Sequence, residues 1–322
     1  MEESTNFHSD TEYSPVLIPT LCRSRHLEKT ISALQRCSQA KQTDLFIALD
    51  YPAKDSHWEG YKKILEMLPS INGFRSVNVI KRQINYGASK NIRDARKQIF
   101  TRYNSMIFLE DDIEVSPNFL DYINKGLRAF GSDKKFFAIC GYSYYDDLPH
   151  DDNTFYVQKI GLCPWGYGMR RDSFEEFESI FTKGYCLKKL LNPITLFRAA
   201  FHSWSTVLFT LIKAANPKIM TDNVLTAYMF YENKYVVMPV VSLVKNNGFD
   251  GSGEHCDKDD SYAHRIVAHE DVFEFRGSGY EHYDEIKHRL LEGKRKYITF
   301  PKMCLHIFRM MKHRLTKRTN LL

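Results

Sequence analysis

The chain has 322 residues, 43% hydrophobic and 14% aromatic, enough to bury a sizeable core in one large domain or a domain with a subdomain. Its seven cysteines (Cys22, Cys37, Cys140, Cys163, Cys186, Cys256, Cys304) are scattered without Cys-x-x-Cys spacing, which speaks against a structural zinc site or a disulfide framework and suits a reducing cytoplasm. The net charge of +6 resides at the C-terminus, where residues 294–322 hold nine Lys or Arg and no acid while 36 basic residues face 39 acidic ones before them, a balance unlike that of a nucleic-acid-binding core.

Residues 1–13 are polar and acidic, which predicts a flexible start without a secretory signal. No run approaches the ~18 apolar residues of a membrane span. Residues 14–19, Ser-Pro-Val-Leu-Ile-Pro, predict a first strand, and 20–25 a loop. Residues 26–40 read as a helix with Leu27, Ile31 and Leu34 on one face. A second strand at 44–49 ends at Asp50, and Tyr51-Pro52 turns the chain away. A helix at 61–68, a strand at 77–80, a turn at Asn85-Tyr86-Gly87, a basic helix at 89–100 and a strand at 106–109 follow. Such alternation predicts an α/β fold: a mostly parallel sheet flanked by helices, with ligands at the carboxyl ends of its strands.

The second half is less regular. Strands are expected at 136–140 and 155–160, the latter leading into Cys163-Pro-Trp-Gly-Tyr-Gly168. Aromatic rings beside glycines suit the face of a sugar. Helices are expected at 174–181, at 190–215 with a break near Pro193, and at 222–231. Residues 235–244 are β-rich, and 245–255 form a glycine loop ending in His255.

At 106–123 the sequence reads Met-Ile-Phe-Leu-Glu-Asp-Asp-Ile-Glu-Val-Ser-Pro-Asn-Phe-Leu-Asp-Tyr-Ile. Four apolar residues run into Glu110, Asp111 and Asp112, and a helix is expected next, capped by Ser116 with Pro117 at its first position. Like charges at the mouth of a buried strand repel one another and are costly to desolvate. A hard divalent ion, Mn²⁺ or Mg²⁺, would compensate them, and such an ion usually also binds substrate phosphates. Arg23 could meet phosphate, and Asp50 could pair with a base, the N3–H of uracil giving UDP a mild preference. No G-x-G-x-x-G follows the first strand and no P-loop is present.

With these stretches in place the chain resembles nucleotide-sugar glycosyltransferases of the GT-A type. It is most similar to bacterial surface-polysaccharide transferases related to the N-acetylglucosaminyltransferase I family, over residues 14–256. The resemblance implies a GT-A, Rossmann-like sheet with a nucleotide-binding half at 14–115, an acceptor half at 116–256, and an extension at 257–322. Residues 109–119 resemble the family's metal-binding strand end, with Asp112 as direct ligand and Glu110 and Asp111 assisting. Asn85 and Asn91 resemble the donor-side segment, with Thr20 and Arg23 in the loop after the first strand. Trp165-Gly166 resembles a loop near donor sugar and acceptor. Residues 247–255 resemble a C-terminal loop in which Ser252 lies with the donor and His255 joins the metal or diphosphate. Asp222 falls where relatives carry an acid before a short helix, although the tryptophan that often precedes it is missing.

The implied activity is metal-dependent, inverting transfer from a nucleotide diphosphate sugar, with UDP-sugar preferred, to a glycan or lipid-linked acceptor in lipopolysaccharide or capsule synthesis. Asp222 is the expected base, among Asp172, Glu232, Asp250 and Glu254. A sugar-phosphate nucleotidyltransferase and a non-catalytic sugar-nucleotide-binding relative are the alternatives. The tail sets Cys304, Phe308, Met311 and Leu315 at helical spacing among Lys302, Arg309, Lys312, Arg314, Lys317 and Arg318. That composition predicts a helix lying on an anionic membrane surface, peripheral to the inner face of the cell membrane.

Overall fold

A computed structural model describes residues 13–145, 147–148, 152–250 and 270–319, and the side chains of the last helix only as far as 309. Ser252, Glu254 and His255, with the tail side chains from Met311 on, therefore lie outside the described residues. The chain divides into two compact units. The first comprises 1–157, 163–175 and 235–281, and the second comprises 158–162, 176–234 and 282–322.

The first unit opens with β1 (Val16–Thr20), α1 (Ser24–Gln35), β2 (Asp44–Leu49), α2 (Trp58–Met67), β3 (Ser76–Lys81), α3 (Ala88–Phe100) and β4 (Ser105–Phe108). All six residues of β2 are buried, as are four of the five of β1. Strands covered on both faces read as unbroken apolar runs, so this half of the sheet was plain in the sequence. Leu27, Ile31 and Leu34 of α1 are buried, as expected from their spacing.

The unit continues with β5 (Ile113–Val115), α4 (Phe119–Phe130), β6 (Phe136–Cys140), β7 (Phe155–Gln158), β8 (Tyr167–Arg170), the start of α5 (Arg171–Ile180), β9 (Tyr235–Pro239) and β10 (Val244–Asn246). The main sheet runs β3-β2-β1-β4-β8-β6-β9-β7. Its β3-β2-β1-β4 part is parallel, as is β6 with β9. β8 lies antiparallel to both β4 and β6. The architecture is thus a mixed α/β, mostly parallel, Rossmann-like sheet flanked by helices.

Two sequence expectations change here. The helix after the acidic cluster begins at Phe119 with Asn118 at its N-cap, not with Ser116 and Pro117. The reason is β5, which pairs antiparallel with β10 and carries Ser116 to a backbone bond with Leu243. The Ser116 hydroxyl instead donates to Asn118 Oδ1 at 2.6 Å. The second change is β8, expected as loop. Gly168 replaces the bulky residue usual in a strand because a Cβ there would come within 2.4 Å of Ile123 on α4.

The second unit is helical among its described residues: the end of α5, then α6 (Lys183–Leu191), α7 (Pro193–His202), α8 (Trp204–Ala215), α9 (Asp222–Glu232), α10 (Tyr283–Tyr297) and α11 (Phe300–Thr319). The expected break near Pro193 is present, with Asn192 as N-cap and Pro193 at the first position, and a second break follows at Ser203. Ala199, Val207, Leu208, Ile298 and Met303 form one core cluster. The start of the basic tail is therefore part of that core, and the tail is two helices where one was expected.

Candidate functional site

β4 delivers Leu109 into the core, and Glu110, Asp111 and Asp112 emerge at its carboxyl end. Glu110 is half-buried, whereas Asp111 and Asp112 are buried. The loop between β1 and α1 meets them. Thr20 Oγ1 donates to Asp111 Oδ2 at 2.7 Å, and Thr30 Oγ1 donates to the Asp111 carbonyl at 2.9 Å. The Arg23 guanidinium bridges the pair, one nitrogen on Asp111 and the other 2.8 Å from Asp112 Oδ2. Burial raises the Asp111 carboxyl above the ordinary carboxylate range, and the Arg23 charge works against that rise. Burial likewise acts to lower Arg23, but the two carboxylates hold it above its usual value.

From the other side comes the strand end after β10. The Asn247 amide donates to the Asp112 carbonyl at 2.9 Å. Gly248 passes so close that a Cβ there would sit 2.0 Å from Asp112 Oδ2. Asp112 Oδ1 is buried and has no hydrogen-bond partner among the described residues. The next residue, Phe249, lies with its ring 5.6 Å from that of Trp165, which in turn meets Tyr142 edge-on at 4.6 Å. Gly166 takes a left-handed φ of +83°, and its carbonyl accepts the Gly141 amide at 2.8 Å. Thr20, Arg23, Asp111, Asp112, Trp165 and Gly166 are thus drawn together from three separate stretches of chain, with Gly248 and Phe249 supplying a fourth.

Asp50 sits beside them, its amide bonded to the Thr20 carbonyl at 2.9 Å. Its Oδ1 accepts the amides of Tyr51 (2.9 Å) and Tyr86 (2.8 Å), which fixes the 85–87 turn against the end of β2. Asn85 Nδ2 donates to the Tyr51 carbonyl at 2.6 Å. Asn91 spends its side chain within the protein, donating to Ala48 and accepting from Arg82. Tyr51, Trp58 and Tyr61 form an edge-to-face trio next to Asp50. That trio, Thr30 and Gly248 were missed in the sequence. Trp58, a lone tryptophan shortly after Asp50, was the signal available for the first.

Asp222 belongs to the second unit. It occupies the first turn of α9, but the cap is Thr221, whose hydroxyl accepts the Val224 amide at 3.4 Å. Burial raises its carboxyl, while hydrogen bonds from the Asn223 and Asp222 amides and the charge of Lys294 lower it. Lys294 Nζ donates to the Ile160 carbonyl at 2.7 Å, and burial pulls its ammonium down to about 7 against the pull of Asp222. Of the other base candidates, Asp250 pairs with His26 at 3.1 Å, Asp172 with Arg170 at 3.0 Å, and Glu232 accepts from the Tyr185 hydroxyl.

Among the described residues no three His, Cys, Asp or Glu side chains converge as a metal cage. The donor set still fits a hard divalent ion. Mg²⁺ and Mn²⁺ are commonly held by one or two carboxylates, the remaining positions going to substrate phosphates and water, and Asp112 offers one buried oxygen without a partner among the described residues.

No family model and no curated protein matches the chain. Similar solved structures include the mannosyltransferase PcManGT from Pyrobaculum calidifontis in complex with GDP-Man and Mn²⁺, at 10% identity and a TM-score of 0.36 over 51% of this chain and 46% of that one. S. aureus TarS 1-349 matches at 13% identity and a TM-score of 0.40, over 69% of this chain and 88% of that one. TarS 1-349 in complex with UDP-GlcNAc matches at 15% and 0.37, over 52% and 48%. The chain spans less than half the length of the first of these structures. Likenesses of this size do not assign a family or a ligand to the chain.

Proposed function

We propose that the chain is a GT-A type glycosyltransferase taking its sugar from a nucleotide diphosphate sugar, akin to the N-acetylglucosaminyltransferase I group. The observation that carries this is Asp112 Oδ1, a buried carboxylate oxygen at the carboxyl end of a sheet strand with no donor among the described residues. Leaving such a group unpartnered is costly, and a divalent ion bound with substrate would complete it. Asp112 would hold Mn²⁺ or Mg²⁺, with Glu110 and, beyond the described residues, His255 as further ligands. The ion supplies positive charge for the departing diphosphate.

The chain's own residues do the rest. Thr20 and Arg23 hold Asp111 in place, and Arg23 is within the same loop that would meet phosphate oxygens. Asp50, fixed by two amides, presents its remaining oxygen to the N3–H of a uracil, so a UDP-sugar is the preferred donor. Asn85 orders that edge, and Asn91 acts one step back by tying the segment to β2. Trp165 offers its ring to the sugar, with Gly166 forming the buried turn beside it, and Ser252, outside the described residues, is assigned to the donor. Asp222 takes the proton of the acceptor hydroxyl as that oxygen attacks the anomeric carbon, an inverting displacement. The acceptor is a glycan or lipid-linked sugar in surface-polysaccharide synthesis at the inner face of the cell membrane, with the basic tail on anionic lipid.

A second reading has its own observation. Arg23 already spans both acids, so a metal-free transferase could use its guanidinium as the cation. Thermal shift with UDP, GDP, CMP and dTDP, each with and without Mn²⁺, separates the two, because a ligand that binds the native state raises its stability. UDP should raise Tm only with Mn²⁺, and Asp112→Asn should abolish that shift. Stabilisation without metal, unchanged in Asp112→Asn, supports the second reading. Indifference to all four nucleotides overturns both.

A further inference from the structure

α7 has two unlike faces. Leu196, Ala199 and Ala200 pack into the core of the second unit. Ile194, Phe197 and Phe201, spaced by three and four, are 70%, 71% and 71% exposed, and Leu191 at the end of α6 is 81% exposed. The Phe197 and Phe201 rings lie nearly parallel, 6.3 Å apart. Large apolar side chains set side by side in water mark a surface that something else covers.

The charge around this face says what. Residues 181–220 hold six Lys or Arg and no Asp or Glu. Lys183, Lys188 and Arg198 are exposed. Arg295, from the end of α10, stands 5.1 Å over the Phe201 ring. An apolar face with Arg295 over one of its rings, in a stretch whose exposed charges are cations and which holds no anion, matches a layer that is apolar inside and negative at its surface. No helix among the described residues is long and apolar enough to cross a membrane, so the element would lie flat. We propose that the Leu191–Phe201 face of the second unit docks on a bilayer rich in anionic lipid. This surface is distinct from the distal tail, and the inference does not depend on the nucleotide reading.

The test is co-sedimentation of the full chain with vesicles of phosphatidylcholine alone or mixed equally with phosphatidylglycerol. Wild type should bind the mixed vesicles, and bind more weakly as salt rises. Phe197→Ser and Phe201→Ser each remove an exposed ring without opening the core, and each should lower the partition coefficient ~10-fold. Circular dichroism and an unchanged Tm confirm that the variants fold, and Ile194→Ser supplies a second, smaller step. Removing residues 310–322 should leave most of the binding. Any one of four results overturns the proposal: no binding by wild type, equal binding to neutral vesicles, serine variants that bind like wild type, or a wild-type dimer that the serine variants dissociate in the absence of vesicle binding.

Discussion

Gly248 and Asp112 share a space that admits only one of a Cβ and a carboxylate. The absent methyl would stand 2.0 Å from Asp112 Oδ2, so Gly248→Ala should push the carboxylate out of place. We expect the variant to lose Mn²⁺-dependent nucleotide stabilisation as fully as Asp112→Asn does. The two should differ in Tm: the alanine lowers it through overpacking, whereas the asparagine keeps the side-chain volume and gives up only the ion pair with Arg23, which Asp111 still holds, so its loss of Tm should be the smaller. Differential scanning fluorimetry reads both effects at once. Asp222 can be judged in the same manner. Since Thr221 caps α9, Asp222→Asn removes no cap and should not lower Tm, yet transfer to acceptor should fall ~10²–10⁴-fold if the carboxylate is the base. Near-normal transfer would return Asp222 to a structural role. Of these residues, Asp112 and Asp222 were visible in the sequence because acids at strand and helix ends stand out. Gly248 was visible only as one glycine among several, since what makes it matter is a neighbour 136 positions away.

At the level of elements, legibility followed burial. β1, β2 and β4 are short apolar runs with both faces covered, and each was placed within two residues of its observed bounds. β8 was lost because its contact with α4 demands glycine at 168, which erases the usual strand composition. The β5–β10 pair was lost for a different reason. Each strand has three residues, too few to show alternation, and their pairing joins distant parts of the chain. Of the side-chain caps, the one before Pro193 was readable, whereas those at Thr182 and Ser203 were not. Asn192 accepts the Thr195 amide at 3.0 Å ahead of Pro193, and Asn192→Ala should cost ~1 kcal/mol, measurable as a lower urea midpoint with unchanged slope. Asn192→Asp should cost little, since it keeps the acceptor.

For the molecule as a whole, acid should act first on the second unit. His202, against the Phe230 ring with Nδ1 3.1 Å from the Thr206 hydroxyl, is pulled down to about 3 by burial and by Lys294, Arg295 and Lys287. Unfolded, the same imidazole takes its proton near 6.5. Between those values the unfolded chain binds the extra proton, so stability falls as pH drops from about 6.5 toward 3. Lys294 extends the same slope upward. With its ammonium at about 7 against 10.5 unfolded, stability should keep rising as pH climbs from 7 toward 10.5. Hydrogen exchange across this range should show protection in α7–α9 changing before that in β1–β4, and His202→Gln should flatten the acid limb.

The interleaving of the two units carries a consequence for how the chain is made. Ala199, Val207 and Leu208 emerge early, but Ile298 and Met303, which complete their core, come about a hundred residues later. At an elongation rate of roughly 5–20 residues per second, the half-built core waits ~5–20 s for its last helix. During that interval the inner face of α7 has α8 against it but lacks Ile298 and Met303. A ribosome stalled before residue 298 should therefore hold a nascent chain that recruits chaperones at α7–α8, and the recruitment should end once Met303 has cleared the exit tunnel.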